Sequence, residues 1–214
     1  MAMKLYNYFR SSASFRVRIA LNLKGLAYEY IPVHLAKGEH LLDAFAPLSA
    51  DRLLPVLEID GLRLSQSLAI IEYLDERHPE PKLLPGDAVA RAQVRALAQM
   101  VACEVHPLNN LRVLKYLTGP MQQTESTKTE WIHHWIHTGF KALEARLVQL
   151  GAKDFCWADQ PSLADACLVP QVFNAQRFEV NLEAYPTIRR IHAHCMSLDA
   201  FERAQPSRCP DAST

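Results

Sequence analysis

The chain has 214 residues, 49% of them hydrophobic and 21% charged, with 23 Lys and Arg balancing 23 Asp and Glu. That length suits one large domain or two small ones, and that apolar share is enough to build a buried core. The charge balance gives no net field to draw nucleic acid or an anionic membrane, and no apolar run is long enough to span a bilayer. The five cysteines, Cys103, Cys156, Cys167, Cys195 and Cys209, form no CxxC pair and are odd in number. This argues against a disulfide framework or a zinc ribbon and fits a reducing compartment. The opening MAMKLYNYFR lacks the apolar run and cleavage site of a secretory leader, so a cytoplasmic protein is expected.

Residues 4–8 alternate and read as a short strand. Residues 15–24 carry Val17, Ala20, Leu21 and Leu23 at helical spacing and stop at Gly25. Residues 28–33 are aromatic and β-branched, a second strand; the intervening helix makes a parallel βαβ unit the expected arrangement. Residues 40–45 fit a short helix. Residues 53–59 are apolar, contain Pro55 and run into Asp60-Gly61, a hairpin turn signal with a return strand at 62–64. Ser67 then caps a helix over 68–78 that buries Ile70, Ile71 and Leu74. The order is β-α-β-α-β-β-α.

The Pro- and Gly-rich HPEPKLLPGD (His78–Asp87) follows, and beyond it the pattern is helical only. The expected domains are 1–82 and 91–214, with a linker at 83–90. Helices are expected over 88–117, bent near Pro107, and over 131–150, 162–178 and 185–201. Ser162 and Asp165 form a capping box with Asp in place of Glu. Cys103 and Cys167 lie among apolar residues and read as core, and QPSRCPDAST at 205–214 reads as a loose tail. His133 and His137 are a possible metal pair at i and i+4, but a solvated helix face is the stronger reading.

The stretch YFRSSASFRVRIAL (Tyr8–Leu21) sets Arg10, Ser11 and Ser12 at the mouth of a helix. Two readings stay open: a serine that caps the helix, or hydroxyls and unpaired amides that hold an anion.

The run Ser11–Leu21 resembles the signature of the zeta-class glutathione transferases. So do Gln66–Leu74 (QSLAIIEYL), His106–Leu114 (HPLNNLRVL), and Leu168–Val172 with Asn174–Phe178. Several long matches in the right order are a specific signal. The family includes maleylacetoacetate and maleylpyruvate isomerases. The resemblance implies an α+β thioredoxin-like N-terminal domain, an all-α C-terminal domain, glutathione as cofactor and a homodimer. It also implies cis–trans isomerisation of a small dianionic cis-ene keto acid from the breakdown of aromatic acids such as tyrosine. One departure stands out: the family often has Cys in its Ser-Ser-Cys-Ser run, and here that position is Ala13. This moves the weight onto Ser11.

By the resemblance, Ser11, then Ser12, donates to the cofactor sulfur. The backbone of Leu54, ahead of Pro55, pairs with the cysteinyl part. Gln66 and Ser67 receive the γ-glutamyl end, His40 meets the glycyl end, and His106 and Asn110 contribute from the helical domain. Arg10, Arg112 and Arg177 are the candidates for substrate carboxylates, since a guanidinium binds them in bidentate fashion. On an ideal helix His106, Asn109 and Asn110 share a face, with Arg112 at its edge. Two rival functions share the scaffold: a transferase that conjugates or dehalogenates small electrophiles, and a non-catalytic binding protein.

Overall fold

The computed structural model describes residues 3–212, which divide into two compact units. The first runs to Leu84 and is joined by the segment from Met196 onward; the second is Pro85–Cys195.

In the first unit, β1 (Lys4–Asn7), α1 (Ser12–Leu23) and β2 (Glu29–Pro32) form the expected βαβ unit, with β1 and β2 parallel. β3 (Val56–Ile59) and β4 (Leu62–Ser65) complete a four-stranded sheet of order β2-β1-β3-β4. The β3–β4 turn is Asp60-Gly61 with φ of 51° and 78°. Both lie in the left-handed region that a two-residue hairpin of matching twist requires, and Asp and Gly tolerate it. The expected short helix at 40–45 is two 3-10 turns, Glu39–Leu41 and Asp43–Phe45.

α1 is buried continuously from Ser14 to Leu21, so it is a core element rather than a half-exposed one. α2 (Ser67–Arg77) buries Ile70, Ile71 and Leu74, the face its spacing predicts. Lys24, just past α1, donates from Nζ to Asp75 of α2 at 2.8 Å and to the carbonyls of His78 and Pro81. Its side chain is fully buried, and this three-way pairing offsets the cost of burying an ammonium.

In the second unit, α3 (Ala88–Ala102) packs on α6 (Leu163–Arg177), and α4 (Leu111–Thr118) and α5 (Glu125–Gln149) pack together. α5 buries Ile132, Ile136, Phe140, Leu143 and Leu147, one stripe at helical spacing. α6 is buried on every side from Leu163 to Val172. It opens with the expected capping box, in which Asp165 Oδ2 accepts from the amide and hydroxyl of Ser162 at 2.8 and 2.7 Å. α7 (Pro186–Met196) follows. No helix among the described residues is long and apolar enough to cross a membrane.

Three expectations are corrected. Of the residues read as a loose tail, 205–212 are packed: Pro206, Cys209 and Asp211 are buried, and a 3-10 turn forms at Pro206–Arg208, while 213–214 lie outside the described residues. With α8 (Asp199–Glu202), whose Phe201 is fully buried, they belong to the first unit. The stretch 91–214 is therefore not one domain; its last part returns to the sheet. Finally, Cys103 is exposed, because α3 ends at Ala102 and leaves Cys103 beyond its buried face.

Candidate functional site

The register of the sheet gathers most of the candidate residues. Tyr6 of β1 pairs with Val56 of β3, and Val56 pairs with Ser65 of β4. Leu54-Pro55 enters β3, and Gln66-Ser67 leaves β4, at the end of the sheet where β1 leads into Tyr8–Ser12. The Leu54–Pro55 bond is cis. Tyr8, Leu54 and Val56 share one apolar cluster with Val33 and Phe45, and Phe9 packs against it. His40 lies in the segment between Val33 and Phe45, so it too follows a strand that ends at this edge.

The mouth of α1 starts at a turn in which the Ser11 amide donates to the Tyr8 carbonyl at 3.0 Å. Ser11 is the N-cap, and its Oγ accepts from the Ser14 amide at 3.2 Å. Ser12, the first helical residue, is buried. No acidic residue stands in the first turn of α1 or of α2, so neither helix neutralises the positive end of its own dipole. The capping role expected of Ser67 is corrected: Gln66 is the N-cap, with φ of 67° and no side-chain cap among the described residues. Without that cap, the first amides of α2 are suited to an incoming carboxylate. Ser67 is buried, and its Oγ accepts instead from Nη1 of Arg16 at 3.2 Å. Gln66 is exposed and donates from Nε2 to Asp51 at 3.2 Å. These features, two cationic helix ends and a hydroxyl that can donate, fit an anionic peptide such as glutathione.

Arg10 is exposed. Its Nη2 donates to the Tyr8 hydroxyl at 3.1 Å, and its guanidinium lies 4.8 Å from the centre of the Phe9 ring. These contacts restrict a long exposed side chain and reduce the rotamer entropy left to lose on any ordering of it.

The remaining candidates belong to the second unit. His106 opens a 3-10 turn, His106–Asn109, which is held by Trp131 Nε1 donating to the Leu108 carbonyl at 2.8 Å. Asn110 caps α4: its Oδ1 accepts from the Arg112 amide at 3.1 Å. The ideal-helix face is not formed, because the 3-10 turn rotates Asn109 inward to a buried position while Asn110 becomes a cap and Arg112 stays exposed. Arg177 is the last residue of α6 and is exposed, its guanidinium 4.5 Å from the Phe178 ring centre. His133 Nε2 sits 2.8 Å from the Phe178 carbonyl, and His137 Nδ1 sits 2.8 Å from the Tyr185 hydroxyl. The described residues hold no group of three metal-ligating side chains.

Sequence reasoning missed Arg16 and Arg18, which are 2% and 1% exposed. The signal was present: each cation is flanked by apolar residues, Phe15, Val17 and Ile19, in a helix with no polar face. It also missed Asp211, for which the sequence held no signal.

Comparison with known proteins fits this geometry. Residues 5–82 match the family model for the glutathione S-transferase N-terminal domain. The maleylpyruvate isomerase of a Ralstonia species is 50% identical over 212 residues, covering 99% of this chain and 100% of that one. A solved holo structure of a zeta-class maleylpyruvate isomerase superposes with a TM-score of 0.94 at 50% identity, covering 97% of this chain and 99% of that one. The maleylacetoacetate isomerase of Anaeromyxobacter dehalogenans, solved with dicarboxyethyl glutathione and citrate in its active site, gives a TM-score of 0.88 at 45% identity, covering 100% and 98%. The chain belongs to the zeta-class glutathione transferase family that contains these isomerases.

Proposed function

We propose that the chain is a glutathione-dependent cis–trans isomerase of maleylacetoacetate or maleylpyruvate. The observation that carries this is the convergence, at one end of the sheet, of the serine-rich mouth of α1, the uncapped start of α2 and the Leu54-Pro55 entry to β3. That it occurs in a chain half identical along its length to a maleylpyruvate isomerase supports the particular reaction.

Bound glutathione supplies a thiolate for reversible addition to the conjugated double bond. Ser11 would donate a hydrogen bond from its hydroxyl to the sulfur, and the N-terminus of α1 would favour the negative charge there. Ser12 is the secondary donor. The Leu54 backbone pairs with the cysteinyl part, Gln66 and Ser67 receive the γ-glutamyl carboxylate, and His40 meets the glycyl end. His106 and Asn110 are further ligands from the helical unit. Arg10, Arg112 and Arg177 bind the substrate carboxylates and stabilise the oxyanion that develops on the conjugated carbonyl. The active species is a homodimer in the cytoplasm.

The test follows the ultraviolet loss of maleylpyruvate and of maleylacetoacetate, each with and without glutathione. Glutathione-dependent turnover of either is expected, and the faster substrate identifies the physiological class. A protein that binds glutathione and turns over neither would overturn the proposal.

A further inference from the structure

The turn that aims Ser11 is held from a part of the chain some 200 residues away. Phe9 precedes Arg10 and Ser11, and both of its backbone groups are occupied. Its amide donates to Asp211 Oδ2 at 3.2 Å, and its carbonyl accepts from Arg18 Nη2 at 3.0 Å. Arg18 Nη1 also donates to Asn7 Oδ1 at 2.9 Å and reaches the Tyr8 carbonyl at 3.4 Å. Its Nε donates to the Ala204 carbonyl at 2.9 Å. Asp211 is buried, and its other oxygen accepts from the Tyr30 hydroxyl. One carboxylate therefore ties β2 to the backbone between β1 and α1, and one guanidinium ties that same backbone to the segment after α8.

We propose that Asp211 is a positioning residue for the reaction. It fixes the Phe9 amide, and through the Tyr8–Ser11 turn it sets the direction of the Ser11 hydroxyl and of the first amides of α1. The inference rests on the reading of Ser11 as the partner of the cofactor sulfur. Asp211 acts through the backbone and touches neither cofactor nor substrate. Its effect falls on the chemical step rather than on glutathione affinity, because Leu54, Gln66 and Ser67 hold glutathione from other loops.

The experiment compares wild type with S11A, D211A, D211N and S11A/D211A. It reads kcat at saturating glutathione, glutathione Kd by titration calorimetry, and the unfolding midpoint. D211A removes both acceptors. D211N keeps the shape and can restore both bonds, with its carbonyl oxygen accepting from Phe9 and its amide donating to the Tyr30 oxygen. A misaimed catalytic group costs of the order of 10- to 100-fold, so D211A is expected to lose about that much kcat while Kd stays close to wild type. D211N is expected to keep most of the activity. The double variant is expected to be little worse than S11A, because both substitutions remove one device.

If D211A keeps wild-type kcat while S11A is impaired, the inference fails and the site reading stands. If S11A keeps wild-type kcat, the site reading fails and takes the inference with it. Equal proportional losses of kcat and affinity in D211A, with no recovery in D211N, would make Asp211 a purely structural residue and overturn the proposal. Should D211A not fold, Y30F decides. It removes one of the two anchors of Asp211 and is expected to lower kcat at constant Kd; an unchanged kcat overturns the inference.

Discussion

A hydroxyl can cap a helix and bind an anion at the same time. Ser11 Oγ accepts from the Ser14 amide, and accepting uses a lone pair while leaving the O–H proton to donate elsewhere. The two readings open at the sequence level are therefore compatible on one atom. Histidine shows how burial sets chemistry at the same scale. His192 lies on α7 among Ile188, Ile191 and Cys195, and burial lowers its pKa from the ordinary 6.5. A depressed folded-state pKa means that the unfolded chain takes up the proton first as pH falls. Its contribution to stability is present above 6.5 and is lost as pH drops through the depressed value. His192→Gln removes that titration. Urea midpoints of wild type are expected to fall more steeply than those of the variant between about pH 7 and pH 5. Parallel curves would show that His192 charges without penalty in the folded protein.

Elements were legible where the pattern repeats along the chain. The 3.6-residue spacing of Ile70, Ile71 and Leu74 gave α2 its buried face, and Asp60-Gly61 gave the hairpin, because both signals are local. The same local reading failed at α1, whose cations are buried. Arg16 meets Ser67, 51 positions away, and nothing in the spacing of either helix encodes that pairing. At the candidate site, the serines, Leu54-Pro55 and Gln66-Ser67 stand out in the sequence as motifs. Their meeting at one sheet end follows from the register. Helix packing also carries close approaches that composition hides. Gly139 stands within α5, where replacement by Ala would ordinarily gain about 1 kcal/mol of helix propensity. A Cβ there lands on the Cγ2 methyl of Val105. Overpacking of this kind costs about 1–3 kcal/mol, so the clash is expected to win. Gly139→Ala should lower the thermal midpoint by a few degrees, measured by calorimetry; a raised midpoint would mean that Val105 moves aside freely.

On the scale of the molecule, the chain closes on its own beginning. The segment from Met196 returns to the unit that contains the first strand, and Phe9 and Asp211 are 202 positions apart. A polar, Pro-containing stretch such as QPSRCPDAST carries no periodicity, so the burial of Pro206, Cys209 and Asp211 leaves no trace in the sequence. Energetically the return is large. Burying Phe201 contributes about 2–3 kcal/mol. The Ala204 carbonyl satisfies a buried Arg18 donor that would otherwise cost a further ~1–3 kcal/mol. Asn22, at the end of α1, likewise donates from Nδ2 to the Ala200 carbonyl at 2.9 Å. Set against a typical total of about 5–15 kcal/mol, these contacts are a substantial share. A fragment of residues 1–84, though it contains all four strands of the sheet, is expected to unfold in urea without a cooperative transition. Joining it to 196–214 through a flexible linker is expected to restore one, read by circular dichroism. A cooperative transition in the short fragment alone would show that the sheet and two helices suffice, and that the returning segment shapes the site without holding up the fold.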